Sequence, residues 1–220
     1  MSTSGVTDFR PTVRDFITGA LHDNAIVPLS EQPEASEFEA CTRRLNMMLK
    51  SWSVRANLWR EATATVTIPA GTGQVALSPD VQEVIAVRHA VTASYNRPLA
   101  MWTRDQFNIL PNPMASGSPS AVYVERGVNG LTLKVWSVPA TDIDVVVDYI
   151  RAVEIATDGT QTLDFREEFA EAVQTNLALR CCPIFEKQPH PELVARAQRL
   201  EAEMLDADRP ASYFMESGCY

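Results

Sequence analysis

Apolar residues along this chain keep two different periods, and the changes between them divide it into three parts. Val13, Phe16, Ile17, Ala20 and Leu21 fall at i, i+3, i+4, i+7 and i+8, the spacing of one helix face. Thr12 with Asp15 three residues on has the form of a capping box, and Asp23-Asn24 ends this first helix. Ser30 to Pro33 opens a longer helix, with Pro near the start where its missing N–H is harmless. Its stripe is Phe38, Cys41, Leu45, Met48, Leu49 and Trp52, and Leu58-Trp59 covers one end of the core.

From residue 62 the period becomes two. Residues 62–68 read Ala-Thr-Ala-Thr-Val-Thr-Ile, the alternation of a half-buried strand rich in β-branched residues. Pro69 to Gly73 is a turn, and strands follow at 74–77 and 84–91 and from Arg97-Pro98-Leu99 to near Trp102. Thr103 and Gln106 have capping-box spacing and predict a short helix carrying Phe107. Residues 111–120 are a loop. Residues 121–126 and 131–138 flank Gly127-Val128-Asn129-Gly130 as a hairpin, and 143–150 is a last strand. That strand puts Ile143, Val145 and Val147 on one face and Asp144, Val146 and Asp148 on the other. Helix returns from Asp164, with Phe165, Phe169, Ala172, Val173, Asn176, Leu177 and Arg180 as its stripe, and Pro183 stops it. Pro191 starts a final helix with Leu193, Ala197, Leu200, Met204 and Leu205, which ends at Arg209-Pro210.

Helices, then strands, then helices is the order of a segregated α+β fold. The economical architecture packs the N-terminal and C-terminal helices together as a bundle, with a β-rich domain inserted between them. The expected organisation is a flexible lead (1–11), N-terminal helices (12–60), a β-rich domain (61–152), C-terminal helices (153–208) and an extended tail (209–220).

Charge changes this picture in one respect. The net charge is −9, and residues 153–220 hold thirteen acidic against six basic groups. An acidic surface repels phosphate, which argues against a protein that grips nucleic acid by its backbone. The four cysteines, Cys41, Cys181, Cys182 and Cys219, form no C-x-x-C, and Cys41 lies on an apolar stripe. Buried free thiols in a reducing cytosol are the expected state. The first ten residues are polar and hold no apolar signal core. Residues 62–79 and 106–124 are uncharged, but Pro, Gly, Ser, Thr or Asn break both, so neither reads as a membrane span.

The motifs that carry chemistry are largely missing. His22, His89 and His190 are not at metal-ligand spacing. Gly71-Thr72-Gly73 lacks the third Gly and the following helix of a dinucleotide fingerprint. Ser118 is followed by Pro119, which removes an N–H that a nucleophile elbow would use. Asp142/Asp144, Asp144/Asp148 and Glu167/Glu168/Glu171 are the carboxylate groupings that a glycosidase would need, but solvated strand and helix faces look the same. Trp52, Trp59, Trp102 and Trp136 fall on predicted stripes and read as core. No cofactor, metal or catalytic residue is expected.

Residues 97–151 resemble the head-to-tail adaptor family of tailed bacteriophages, also called tail accessory or head-completion factors. The resemblance is carried by Arg97-Pro98-Leu99, then Thr103-Arg104-Asp105-Gln106-Phe107, then Gly117-Ser118-Pro119 ahead of Tyr123. Leu131-Thr132-Leu133-Lys134-Val135-Trp136-Ser137-Val138-Pro139 and Val147-Asp148-Tyr149-Ile150-Arg151 complete it. Ser137 stands where relatives usually have a second Pro. Leu45 to Trp52, and residues 165–182, extend the match more weakly. The resemblance implies a non-catalytic structural subunit of a ring, usually a dodecamer, in the virion between the portal protein and the tail nozzle or other tail proteins. Such a ring is assembled in the host cytoplasm, helps retain packaged DNA and lets double-stranded DNA pass without specific binding. A tail-associated cell-wall hydrolase and a binding or assembly-chaperone module are the alternatives. The tail carries Tyr213, Phe214, Met215 and Tyr220 without helical or strand period. Aromatics of this kind are enriched at interface hot spots, so these four residues are expected to dock on the portal or a neighbouring subunit.

Overall fold

The computed structural model describes residues 5, 9–56, 60–92, 95–128 and 130–207. They form two compact units: residues 1–59 with 153–220, and residues 60–152.

The first unit is helical. Helix α1 spans Val13–Asp23, and its whole predicted stripe is buried. The capping box is present: the Asp15 N–H donates to the Thr12 hydroxyl, and the Thr12 N–H to the Asp15 carboxylate at 2.8 Å. Helix α2 spans Ala35–Arg55 and buries Cys41, Leu45, Met48, Leu49 and Trp52. It starts after the predicted opening at Ser30 to Pro33, because Glu34 is extended and its N–H is held by the Glu37 carboxylate at 2.9 Å. The predicted helix from Asp164 also begins late. Arg166 is extended, a 3₁₀ turn covers Glu167–Phe169, and α4 runs Ala170–Cys181. Phe165 instead turns its ring toward Trp52, 6.2 Å away. The last described helix, α5, spans Pro191–Ala207 and buries Ala197 and Met204.

Helix α4 is the centre of this unit. Seven of its twelve residues are buried, among them Thr175 and Asn176. The Asn176 amide donates to Ala172 O at 3.0 Å and Ala197 O at 3.1 Å, joining α4 to α5. Asn24, just after α1, donates to Ala178 O at 2.6 Å. Gly19 lies so close to α4 that a Cβ there would meet the Gln174 amide at 2.7 Å. On α2, Asn46 and Ala156 exchange two hydrogen bonds of 2.8 Å, and Lys50 donates to Val153 O at 2.7 Å.

The second unit holds two four-stranded sheets around one apolar core. The elements are β1 (Glu61–Ile68), β2 (Gln74–Ala76), β3 (Val81–Thr92), β4 (Tyr95–Pro98), β5 (Ala100–Met101), α3 (Arg104–Asn108), β6 (Ala121–Gly127), β7 (Gly130–Trp136) and β8 (Ile143–Arg151). One sheet runs β1-β8-β3-β4 and the other β2-β7-β6-β5. The predicted hairpin joins β6 to β7, with Gly127 opposite Gly130. Val145 and Val147 face the core as their alternation requires. The strand expected from Arg97 to Trp102 is two short strands in different sheets, with Leu99 buried between them. The α+β fold class is therefore the observed one.

Leu177 is fully buried in the helical unit. Leu177→Ala is expected to destabilise that unit by about 3 kcal/mol, through lost burial and the cavity left behind. Urea unfolding followed by far-ultraviolet circular dichroism measures it.

Candidate functional site

The carboxylates singled out by the sequence are all engaged in structure. Asp148 accepts two bonds from Arg88, at 2.7 and 2.8 Å, and one from the Thr63 hydroxyl at 2.7 Å. Asp144 accepts from the Thr67 hydroxyl at 2.7 Å, and Asp142 from the Ala70 N–H at 2.8 Å. These bonds form a polar ladder over the outer face of β1, β8 and β3. Alternation on β1 and β8 produces it: Thr63 is opposite Asp148, and Thr67 opposite Asp144. The pattern was present in the sequence as two Thr and two Asp, each pair four residues apart, but their pairing needed the register.

The glutamates are likewise taken. Glu167 accepts from the Phe9 N–H at 2.7 Å, Glu168 pairs with Arg166 at 2.6 Å, and Glu171 with Arg196 at 2.5 Å. Glu167 lies in the 3₁₀ turn and Glu171 in the first turn of α4. The exposed Arg166 guanidinium holds the Glu168 carboxyl below its usual range.

The three histidines serve local roles. The His22 ring lies 3.4 Å from Glu31 O, and His190 Nδ1 accepts from the Glu192 N–H at 3.4 Å. Burial, then the Arg97 cation, push the His89 imidazole below its usual pKa. Arg97 itself donates to the Ser118 hydroxyl at 2.8 Å and to Pro119 O, so the Ser-rich loop is tied to β4. Among the described residues, no three His, Cys, Asp or Glu gather as they would around a metal, and no helix is long and apolar enough to cross a membrane.

Two features were missed in the sequence. Cys41 and Cys181 meet with their sulfurs 3.3 Å apart in the buried helical core. The hydrogen bond with Cys41, then burial, push the Cys181 thiol up. The second feature is an aromatic surface over β6 and β7. Trp102 and Trp136 stack at 5.5 Å, and Phe107 lies 5.5 Å from Tyr123. The Trp136 indole N–H donates to Asn112 O at 3.1 Å, and Ile109 and Met114 nearby are exposed. Of the tryptophans expected in the core, Trp52 is there. Trp102 and Trp136 are half-buried on the outer face, because Trp136 alternates away from Leu133 and Val135. Trp59 and the expected docking residues Tyr213, Phe214, Met215 and Tyr220 lie outside the described residues.

Two grooves are open to solvent, one of about 410 Å³ beside Phe9, Phe16 and Phe165 and one of about 600 Å³ beside His89, Ser118 and Asp142. Helical segments precede and follow the β unit in the chain, and the fold is of the segregated α+β class. Within that class, residues 11–214 match the family described as SU10 adaptor protein, a phage head-to-tail adaptor family, and the chain belongs to it. No curated protein matches the chain.

The His89 shift has a pH consequence. Its folded pKa lies below the unfolded value of about 6.5, so the unfolded chain takes up the proton first. Its contribution to stability is complete above that pH and is lost as pH falls toward the folded pKa. Thermal unfolding at about pH 7.5 and about pH 5.5 should show a smaller drop for His89→Gln than for the wild type.

Proposed function

We propose that the chain forms a closed ring, a dodecamer, joining the portal to the tail nozzle, where it helps retain packaged DNA and lines part of the exit channel. The observation that carries this reading is the family match over residues 11–214. A head-to-tail contact closes into a ring when its rotation divides the circle. The subunit acts by contact rather than by turnover, and the structural engagement of Asp144, Asp148, Glu167 and Glu171 supports that. Assembly in the reducing host cytoplasm is supported by the free state of Cys41, Cys181 and Cys182.

The channel surface is net negative in this reading, with acid from residues 153–220 contributing. Each basic contact would add a phosphate attraction that resists DNA movement. The segment 209–220 docks on the portal or a neighbouring subunit through Tyr213, Phe214, Met215 and Tyr220.

Electron microscopy and mass measurement of the protein mixed with portal rings test the ring. One or two copies per portal would overturn it. Truncation after Asp208 tests the dock. Helix content should be unchanged while portal affinity falls about thirtyfold, the loss of roughly one aromatic hot spot. Undiminished binding would assign the contact to the folded faces.

A further inference from the structure

The two sheets have four outer strands, and three of them are blunted. Strand β2 has three residues and β5 has two. Strand β4 has four, and its outer side is broken by proline: the Leu99 N–H donates inward to Val87 O, so Pro98 faces outward without a donor. Strand β1 differs on every count. It has eight residues, no Pro, no Lys and an unbroken register with β8.

The side of β1 facing away from β8 can be read from one bond. The Arg151 N–H donates to Arg60 O at 2.8 Å, so Arg60 faces β8. Alternation then turns Ala62, Ala64 and Val66 inward with their backbone groups, and Thr63, Thr65 and Thr67 outward. The N–H and C=O groups of these three threonines meet no partner among the described residues. The side chains of Ala62, Ala64 and Val66 pack on the core but remain half-covered. The Thr63–Asp148 and Thr67–Asp144 bonds hold the edge in shape. A long, regular, uncharged edge is what soluble proteins normally avoid unless something pairs with it.

We propose that this edge pairs with itself: two copies of the free chain join β1 to β1, antiparallel, about a two-fold axis at Thr65. The strand is self-complementary in that register. Thr65 faces Thr65 of the second copy, Thr63 faces Thr67, Ala64 faces Val66, and Ala62 faces Ile68. The threonine pairs lie on the outer face, and the added strand covers the half-exposed apolar residues. Glu61 falls beyond the end of the pairing, opposite Pro69, so like charges stay apart. The contact uses the same patch on both copies and consumes the β1 edge, so growth through that edge stops at two. A two-fold pair is not a step of ring closure; it belongs to the free chain and does not rest on the ring reading. The contact is small beside the roughly 1,600 Å² of a standard interface, so the pair is weak and concentration-dependent.

The test uses the full chain carrying Cys219→Ser in every sample. Sedimentation from about 5 to about 500 μM should move the mass from 24.3 kDa toward twice that. Thr65→Lys, which sets like charges on the axis, should remain monomeric with unchanged circular dichroism. Thr65→Cys should form a covalent dimer under mild oxidation, since facing residues of a bonded antiparallel pair stand about 5.5 Å apart. Thr63→Cys alone should not, being about 14 Å from its own copy, whereas a mixture of Thr63→Cys and Thr67→Cys should cross-link. A wild type monomeric throughout overturns the proposal and leaves the edge to a strand of another protein. Equal cross-linking of Thr63→Cys and Thr65→Cys overturns it too, even if Thr65→Lys fails to fold.

Discussion

Everything in the helical unit depends on the burial of α4, a helix that the chain supplies only after the whole β unit has been made. Helices α1 and α2 precede residue 60 and expose one apolar stripe each. Those stripes find their partner in Val173, Leu177, Ala178 and Cys181, all fully buried. Bringing these segments together closes a loop of more than a hundred residues, an entropic cost that grows only slowly with length. The cost is smaller still once the inserted unit has folded and fixed its own ends. The Arg151-to-Arg60 bond does this at the base of β1 and β8. Asn46 and Lys50 then hold the returning chain at Ala156 and Val153. The polar clasps sit at backbone carbonyls that have just left a strand, where an unmet acceptor would otherwise be buried.

This arrangement explains what could be read from the sequence and what could not. The stripes of α1 and α2 were legible because each helix has one wet face, so period marks burial. Helix α4 is covered on several sides, so Thr175, Ala178 and Cys181 are buried in addition to its predicted stripe. Its start was placed six residues early, at Asp164 rather than Ala170, because Phe165 and Phe169 keep the helical period while the chain there is extended and then a 3₁₀ turn. The strands were legible because a two-residue period survives whenever one face is solvated. The break at Leu99 was not, since nothing local in Arg97-Pro98-Leu99 says that the chain changes sheets. Candidate-site residues were legible as types but not as partners. Asp148 read as half of a carboxylate pair until the register set it opposite Thr63 and within reach of the Arg88 guanidinium. Cys41 and Cys181, 140 positions apart, needed the helix packing to meet.

The exposed apolar residues are also not all equivalent. Leu29 and Val54 are strongly exposed, yet single apolar side chains on a surface are ordinary and carry no argument. Ile109 and Met114 differ because they lie in the segment that runs from the helix carrying Phe107 past Asn112, whose carbonyl holds the Trp136 indole. Those aromatics are themselves fixed: Asn112 O holds the Trp136 indole, and the capping box at Thr103 and Gln106 sets the helix that carries Phe107. A surface that is both apolar and rigid loses little entropy when covered, which is the physical requirement for a contact surface. The outer face of the β1-β8-β3-β4 sheet is the opposite case. It is rigid but polar, held by the Thr–Asp–Arg ladder, so covering it would gain little. In the β unit, therefore, one sheet carries an aromatic outer face, while the other leaves backbone groups open along β1.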